Sequence, residues 1–316
     1  MSIDSSKPLV SIVVITYNSS KTVIETLDSI RSQTYNNIEL IVSDDSSTDD
    51  TVEVVKNWLG NNSSRFVRVK LVTSEFNTGV SGNINRGIAE TNGRWIKGIA
   101  GDDLLIPTAI EEYVKFVFTH PEKVRMCVCD VEPFAVGGDV PDIIVQSYKD
   151  FFEKESEPYD QQRKRVMTSL VFVGPAYFYS KELYDEIGGY SEKYGNAEEW
   201  PFVYKVITKG NRIYALNKKL VLYRFRADSL CHSRKDNGLI NYSHFMGLYQ
   251  HYFDYPFKVL IKEGHLLTAW DCALHFWIGK LQYRIKNRRI NNIVSHMLFL
   301  FSPLAYLRKL GICKTK

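Results

Sequence analysis

The chain has little cysteine and spaces it poorly for cross-linking. Its five cysteines are an odd number without the spacing of a disulfide framework. Cys127-Val128-Cys129 alternates within a strand-like run, which puts both thiols on one face. Two thiolates cannot close a zinc site, and no Cys or His partner stands at ligand spacing. Buried, reduced thiols in a cytosolic protein are the expectation. Long apolar runs are also missing: nothing reaches ~18 uninterrupted apolar residues, the length of a membrane-spanning helix. Met1 to Pro8 lacks the charged-then-apolar pattern of a signal peptide. Neither Gly-x-Gly-x-x-Gly after the first apolar run nor Gly-x-x-x-x-Gly-Lys-Ser/Thr occurs. Dinucleotide and P-loop sites therefore lose their main signatures.

Acid is absent from one end. No Asp or Glu follows Asp271, while Lys280, Arg284, Lys286, Arg288, Arg289, Arg308, Lys309, Lys314 and Lys316 are all basic. The whole chain carries a formal +4, so those nine charges leave −5 on residues 1–271. Basic character belongs to the tail, and the body offers no footprint for nucleic acid.

What is present suffices for a core. Apolar residues make up 44% of the 316, enough for one large α/β domain or two smaller ones at roughly 100–200 residues each. Leu9 to Thr16 is an unbroken β-branched run suited to a strand covered on both faces. It leads to Tyr17-Asn18-Ser19-Ser20, and Thr22 with Glu25 makes a capping-box pattern ahead of Val23, Ile24, Leu27 and Ile30 at helical spacing. Ile38 to Val42 reads as a second strand, and Val52, Val55 and Trp58 mark the next helix, with Asp49 and Asp50 in its first turn. Val67 to Val72 is a third strand, and Val80, Ile84 and Ile88 mark a third helix. Trp95 to Ile99 is a fourth strand, followed by a helix to about His120 and a strand from Val124 to Val131. Four strand–helix alternations imply a mostly parallel, doubly wound sheet with ligands at its carboxyl edge. Residues 137–165 lose periodicity and read as a mobile excursion. Ordered structure resumes at Phe172. A tight turn at Gly188-Gly189-Tyr190, a helix opening at Glu198-Glu199-Trp200-Pro201, and two short strands, Arg212 to Leu216 and Leu220 to Phe225, follow.

Asp102-Asp103 stands just past the fourth strand, with Gly101 before it. Adjacent carboxylates there suit Mg²⁺ or Mn²⁺ bridging to substrate phosphates. A solvated turn capping the next helix is the alternative.

Several stretches agree in type, order and spacing: VSIVVITYN at 10–18, SDDSSTDDT at 43–51, NTGVSGNINRGI at 77–88, GDDLLIP at 101–107, GGYSEKYGNAEEW at 188–200 and YRFRADSL at 223–230. On these, over about residues 8–230, the chain resembles the glycosyltransferase family 2 enzymes of the GT-A fold. The resemblance implies an inverting transfer of sugar from a UDP-sugar to a glycan or lipid-linked acceptor in cell-surface polysaccharide synthesis. Thr16, Tyr17 and Asn18 would line the base pocket, Asp45 would accept from the uracil N3–H, and Asn77 and Gly79 would belong to the nucleotide site. Asp102 would touch the ribose and, with Asp103, hold the Mn²⁺ or Mg²⁺. Many members carry another Asp where this chain has Ala100, so the metal would rest on the adjacent pair. Glu199 stands where the family has its catalytic Asp and is the candidate base, with Glu198 beside it. Two acids stabilised by a helix dipole are the alternative there. His232, after Arg224 and Arg226, would serve as a metal ligand or join them as cationic cover over the diphosphate.

The expected division is a GT-A domain at 1–230, with a nucleotide-binding half at 1–131 and an acceptor-side half at 132–230, then a helical, basic extension at 231–316. His265 to Tyr283 is an amphipathic helix that could pack on the catalytic domain. Lys286 to Arg289 and the interrupted apolar run Ile293 to Leu307 fit an anionic membrane surface at the inner face of the cell membrane. A dimer contact remains an alternative, and the oligomeric state stays open. Two other readings survive: a non-catalytic nucleotide-sugar sensor, and a sugar-phosphate nucleotidyltransferase.

Overall fold

A computed structural model describes residues 7–120, 122–135, 158–168, 174–225, 242–283, 293–294 and 302. The chain divides into two compact units. The first comprises Met1–Arg163, Val171–Glu192 and Glu198–Arg226, and the second Lys164–Leu170, Lys193–Ala197 and Ala227–Lys316. The two units interleave in sequence.

The first unit is built on an eight-stranded sheet of order β3-β2-β1-β4-β7-β6-β8-β5. Its amino-terminal half alternates strand and helix as the apolar periodicity predicts. In chain order this half runs β1 (Val10–Thr16), α1 (Val23–Arg31), β2 (Ile38–Asp44), α2 (Thr51–Asn62), β3 (Arg68–Thr73), α3 (Gly79–Ala89) and β4 (Trp95–Ala100). These four strands pair in parallel, with Thr16 opposite Asp44 and Ile15 opposite Ala100. Parallel pairing with helical crossovers buries both faces, so β1 and β2 are largely apolar, and the buried Ser11 donates to the buried Glu39 across them. Val10, Ile12, Val13, Val14, Leu40, Ile41 and Val42 are wholly inaccessible. Each such side chain contributes about 1.5–3 kcal/mol by leaving water.

The second half of the sheet mixes directions. After β5 (Leu104–Leu105) and α4 (Ala109–Thr119) come β6 (Met126–Ala135), α5 (Tyr159–Val166), β7 (Tyr177–Ser180), α6 (Lys181–Ile187), α7 (Glu199–Thr208) and β8 (Tyr214–Phe225). β7 runs antiparallel to β4 and β6, β8 parallel to β6, and β5 antiparallel to β8. The doubly wound sheet is therefore present, its parallel character concentrated in the first half.

Three expectations change. The two strands around 212–225 are one, β8. Asn217, Lys218 and Lys219 look like a turn because they are exposed, but the backbone continues through them with a register shift against Asp130. Within 137–165, residues 159–166 are helical, although their composition is too polar to show apolar periodicity. Residues 136–157 lie outside the described part. The Thr22–Glu25 capping box is not formed: Thr22 makes no side-chain cap bond. Its Oγ1 donates instead to the Gly101 carbonyl at 2.8 Å, and Glu25 accepts from Arg224.

In the second unit the described helices are α8 (Tyr242–Asp254), α9 (Pro256–Lys262) and α10 (Leu266–Gln282). Tyr252 is fully buried, stacks on Phe276 at 5.0 Å and donates to the Ala269 carbonyl. α10 buries Ala269, Asp271 and Ala273 and turns Leu266, Leu267, Trp270, Trp277 and Leu281 outward, the last five between 44% and 58% exposed. Among the described residues, no helix is long and apolar enough to cross a membrane. The basic cluster at 286–289 lies outside the described residues.

Candidate active site

The parallel strands deliver Thr16, Asp44 and Ala100 to one edge of the sheet, and the loops that follow them carry most of the predicted site. The first two loops are laced together. Asn18 N–H donates to Ser47 Oγ at 2.8 Å, Thr48 N–H to Asn18 Oδ1 at 2.8 Å, and Ser19 N–H to Thr51 Oγ1 at 2.8 Å. Asn18 (φ 51°) and Ser46 (φ 66°) sit in the left-handed region, a strain that this lacing holds in place. Burial works to raise the Asp49 carboxyl, but hydrogen bonds from Thr51 and Ser20 outweigh it and hold it at about 2. Thr16 is buried and donates to Asp44 Oδ2 at 2.8 Å, while the Tyr17 ring stands 48% exposed at the rim.

Asp45 is 2% exposed, and its oxygens are engaged. They accept from Thr78 N–H (3.0 Å), Thr78 Oγ1 (2.6 Å), Gly79 N–H (2.8 Å) and the Arg86 guanidinium (2.7 Å). These donors fill about the four lone-pair positions a carboxylate offers. Asp45 thus anchors the start of α3, where Gly79 takes a φ of 76° that a residue with Cβ rarely adopts. Asn77 Oδ1 shares the Gly79 N–H at 3.0 Å, while the Asn77 residue itself is exposed. Arg86 was not among the residues the sequence singled out. Its place two helical turns past Gly79, on the face toward β2, is the signal that could have found it.

Gly101 has no room for a side chain: a Cβ there would meet Thr16 Cγ2 at 2.9 Å. The motif backbone therefore lies directly against the first strand. Asp102 is half-buried and Asp103 only 1% exposed. Asp103 Oδ1 accepts from the Arg224 N–H at 2.9 Å, and Oδ2 has no hydrogen-bond partner. Burial, reinforced by the charge of Asp102, pushes the Asp103 carboxyl well up. An orphaned buried oxygen beside a second carboxylate fits a divalent cation. No group of three or more His, Cys, Asp or Glu among the described residues is arranged to hold one. A cation here would take one or two carboxylates and complete its shell from diphosphate and water, as Mg²⁺ commonly does.

Arg224 is turned inward rather than over a ligand. It is 5% exposed, donates from Nε to the Asp102 carbonyl at 2.7 Å and from Nη2 to Glu25 at 2.9 Å, and lies over the Phe134 ring. The expected cationic cover by Arg224 is replaced by a clamp on the acidic motif. Arg226 and His232 lie outside the described residues.

Glu198 and Glu199 open α7. Tyr177 and Tyr190 flank the Phe202 ring, Tyr190 at 4.2 Å, and Tyr179 Oη donates to Tyr190 Oη at 3.3 Å. Against this aromatic wall, burial pushes the Glu199 carboxyl up to about 7. Burial and then the charge of Glu199 push Glu198 up to about 8. Glu199 Oε1 accepts from the Gly174 N–H, and Glu198 Oε2 has no hydrogen-bond partner. A carboxyl raised toward neutrality can take a proton in a transition state.

The sequence profile of Glycosyl transferase family 2 matches residues 11–188, more than half of the chain. The beta-1,3-glucosyltransferase WfaP of Escherichia coli, named for UDP-Glc and alpha-D-GlcNAc-diphosphoundecaprenol, is 36% identical over 112 residues, 35% of this chain and 42% of that protein. The matched stretch is thus under half the length of this curated relative. S. aureus TarS 1-349 in complex with UDP-GlcNAc superposes with a TM-score of 0.57 at 18% identity, covering 96% of this chain and 92% of that one. The mannosyltransferase PcManGT of Pyrobaculum calidifontis, in complex with GDP-Man and Mn²⁺, gives 0.57 at 19% identity, covering 96% and 87%. At these identities the two structures share the fold alone. With the profile match, the parallel half-sheet and the acid-bearing loops in agreement, the chain belongs to glycosyl transferase family 2.

Proposed function

We propose that this chain is an inverting glycosyltransferase. It moves a sugar from UDP to a hydroxyl of a glycan or lipid-linked acceptor in cell-surface polysaccharide synthesis. The observation that carries the reading is the glutamate pair at the start of α7, half-buried beside aromatic rings and raised toward neutral pH. Glu199 takes the proton of the acceptor hydroxyl as that oxygen attacks the anomeric carbon. Attack opposite the departing UDP inverts the configuration. A positioned base of this kind contributes typically ~10²–10⁴ in rate. Like charges this close oppose double ionisation, so the pair as a whole holds a proton more tightly than a lone Glu does.

Thr16, Tyr17 and Asn18 form the wall of the base pocket, with Asn77 and Gly79 at its other side. For Asp45 to receive the uracil N3–H, one of its present donors must swing away. Asp102 would reach the ribose, and Asp102 with Asp103 would hold Mn²⁺ or Mg²⁺. The cation would neutralise charge developing on the leaving diphosphate. The UDP-sugar in the TarS complex, the Mn²⁺ in the PcManGT complex and the lipid-diphosphate acceptor in the name of WfaP support donor, cation and acceptor class. The outward Trp270, Trp277 and leucines of α10, with the basic tail in sequence, support a peripheral seat on an anionic membrane at the cytoplasmic face.

Glu199→Gln tests the reading: transfer from a UDP-sugar is lost while UDP still binds. Near-normal turnover would remove Glu199 from the mechanism. If the unaltered chain binds UDP but releases none from UDP-glucose, UDP-galactose or UDP-N-acetylglucosamine, with or without Mn²⁺, the sensor reading replaces it. Sedimentation with anionic vesicles that is unchanged after removing residues 285–316 would exclude the tail as the anchor.

A further inference from the structure

Lys97 lies in the middle of β4 and is wholly inaccessible, in a strand whose neighbours Ile96 and Ile99 are core residues. An apolar side chain there would need no partners, whereas a buried ammonium is tolerated only when its donors are satisfied. All three are. The β4–β7 ladder stops at Ile96 opposite Tyr179. Beyond it Lys97 Nζ supplies the donors, to the carbonyls of Gly98 (3.2 Å), Tyr177 (3.4 Å) and Pro175. Tyr113 Oη donates to the carbonyl between them, Ala176, at 3.0 Å. Three successive carbonyls are thus bound from the core by two buried side chains.

The same short turn carries the Gly174 N–H that bonds Glu199 Oε1. Contact there is close: a Cβ on Gly174 would lie 3.0 Å from that oxygen. We infer that Lys97 is a positioning residue for the base: through the turn Gly174–Tyr177 it holds the Gly174 N–H against Glu199. This rests on Glu199 as the proton acceptor. The groups that bear on Lys97 are Cys127 and Cys129 of β6, Tyr113 of α4 and Asp103, and those on Glu199 are Glu198 and Tyr177. A hydrogen bond donated to a carboxylate favours its ionised form, so loosening the turn raises the proton affinity of Glu199.

The test uses the full chain and UDP release from UDP-glucose, UDP-galactose and UDP-N-acetylglucosamine, followed across pH on whichever donor turns over. Lys97→Met lowers kcat at least tenfold, leaves KM for the donor within twofold, and moves the acid limb of the kcat profile to higher pH. Gly174→Ala, which changes no charge, moves that limb in the same direction with Lys97 in place. This separates positioning from the loss of a nearby positive charge. An unshifted limb in Gly174→Ala overturns the inference, as does a Lys97→Met enzyme with normal kcat and limb. If Lys97→Met does not fold, Gly174→Ala decides alone. Glu199→Gln distinguishes the two levels. An active Glu199→Gln removes the base reading itself. An inactive one beside normal Lys97→Met and Gly174→Ala variants removes only the part given to Lys97.

Discussion

Arg224 donates its backbone N–H to Asp103 Oδ1 at 2.9 Å, while its side chain takes the carbonyl of the adjacent Asp102. One residue at the end of β8 therefore holds both motif positions, by main chain and by guanidinium. The Glu25 carboxylate on α1 fixes the far end of that guanidinium. Arg224→Met keeps the N–H but removes the guanidinium bonds to the Asp102 carbonyl and to Glu25. We expect a loss of about 1.5–3 kcal/mol in denaturant unfolding, the typical worth of hydrogen bonds made by a charged group. A drop in the affinity for UDP with Mn²⁺ should accompany it in calorimetry.

The rate should climb with pH through the neutral range. Burial raises Glu199 to about 7, and only its ionised form accepts a proton. A stopped assay at saturating donor from pH 5.5 to 9 should show kcat falling on the acid side of neutrality. A flat profile down to pH 5.5 would mean that no raised carboxyl limits the step.

Stability should run the other way. The folded pKa values of Glu198 and Glu199 lie above the ordinary Glu value, so the native state binds more protons than the unfolded chain between about pH 4.5 and 8. This contribution is fully present below about pH 4.5 and is lost as pH rises through 7 to 8. Glu198→Gln removes one such carboxyl. Its partial solvent access keeps the gain near 1 kcal/mol, or about 2–4 °C in Tm at pH 8 for a unit of this size. The gain should vanish at pH 5.

Gly101→Ala places a Cβ 2.9 Å from Thr16 Cγ2, between the acidic motif and the end of β1. Overpacking of this kind costs about 1–3 kcal/mol. Because Thr16 and Asp102 both border the proposed nucleotide site, UDP affinity should fall roughly tenfold, about 1.4 kcal/mol. Thr16→Ser in the same chain removes the clashing methyl, Cγ2 itself, and should restore most of it.

Strands β1, β2 and β4 and helix α1 were legible because apolar spacing is a local property. What escaped is polar and long-range. Thr22 and Glu25 look like a capping box three residues apart, yet they bond to Gly101 and Arg224, 79 and 199 residues away. Arg224 read as a surface cation because nothing local shows that Asp102, Glu25 and Phe134 surround it. Lys97 was visible as the one charge inside an apolar run, but its partners lie 78 and 80 residues on, Pro175 in the turn before β7 and Tyr177 at the start of that strand. The acidic pair stood out at the end of the fourth strand, and the Glu198-Glu199 pair was found through resemblance. Their environment, an unbonded oxygen here and an aromatic wall there, needed the fold.

The short edge strand β5 has a geometric consequence. From Ala100 in β4 to Leu104 in β5 is four residue steps, at most about 14 Å of chain. In the sheet order, β7, β6 and β8 stand between those strands, four spacings or about 19 Å if the sheet lay flat. It cannot lie flat. The carboxyl half must roll until its edge meets its own middle, and Gly101-Asp102-Asp103 is the stitch that closes the roll. A single residue inserted at this seam would slacken the curl and the acidic motif together.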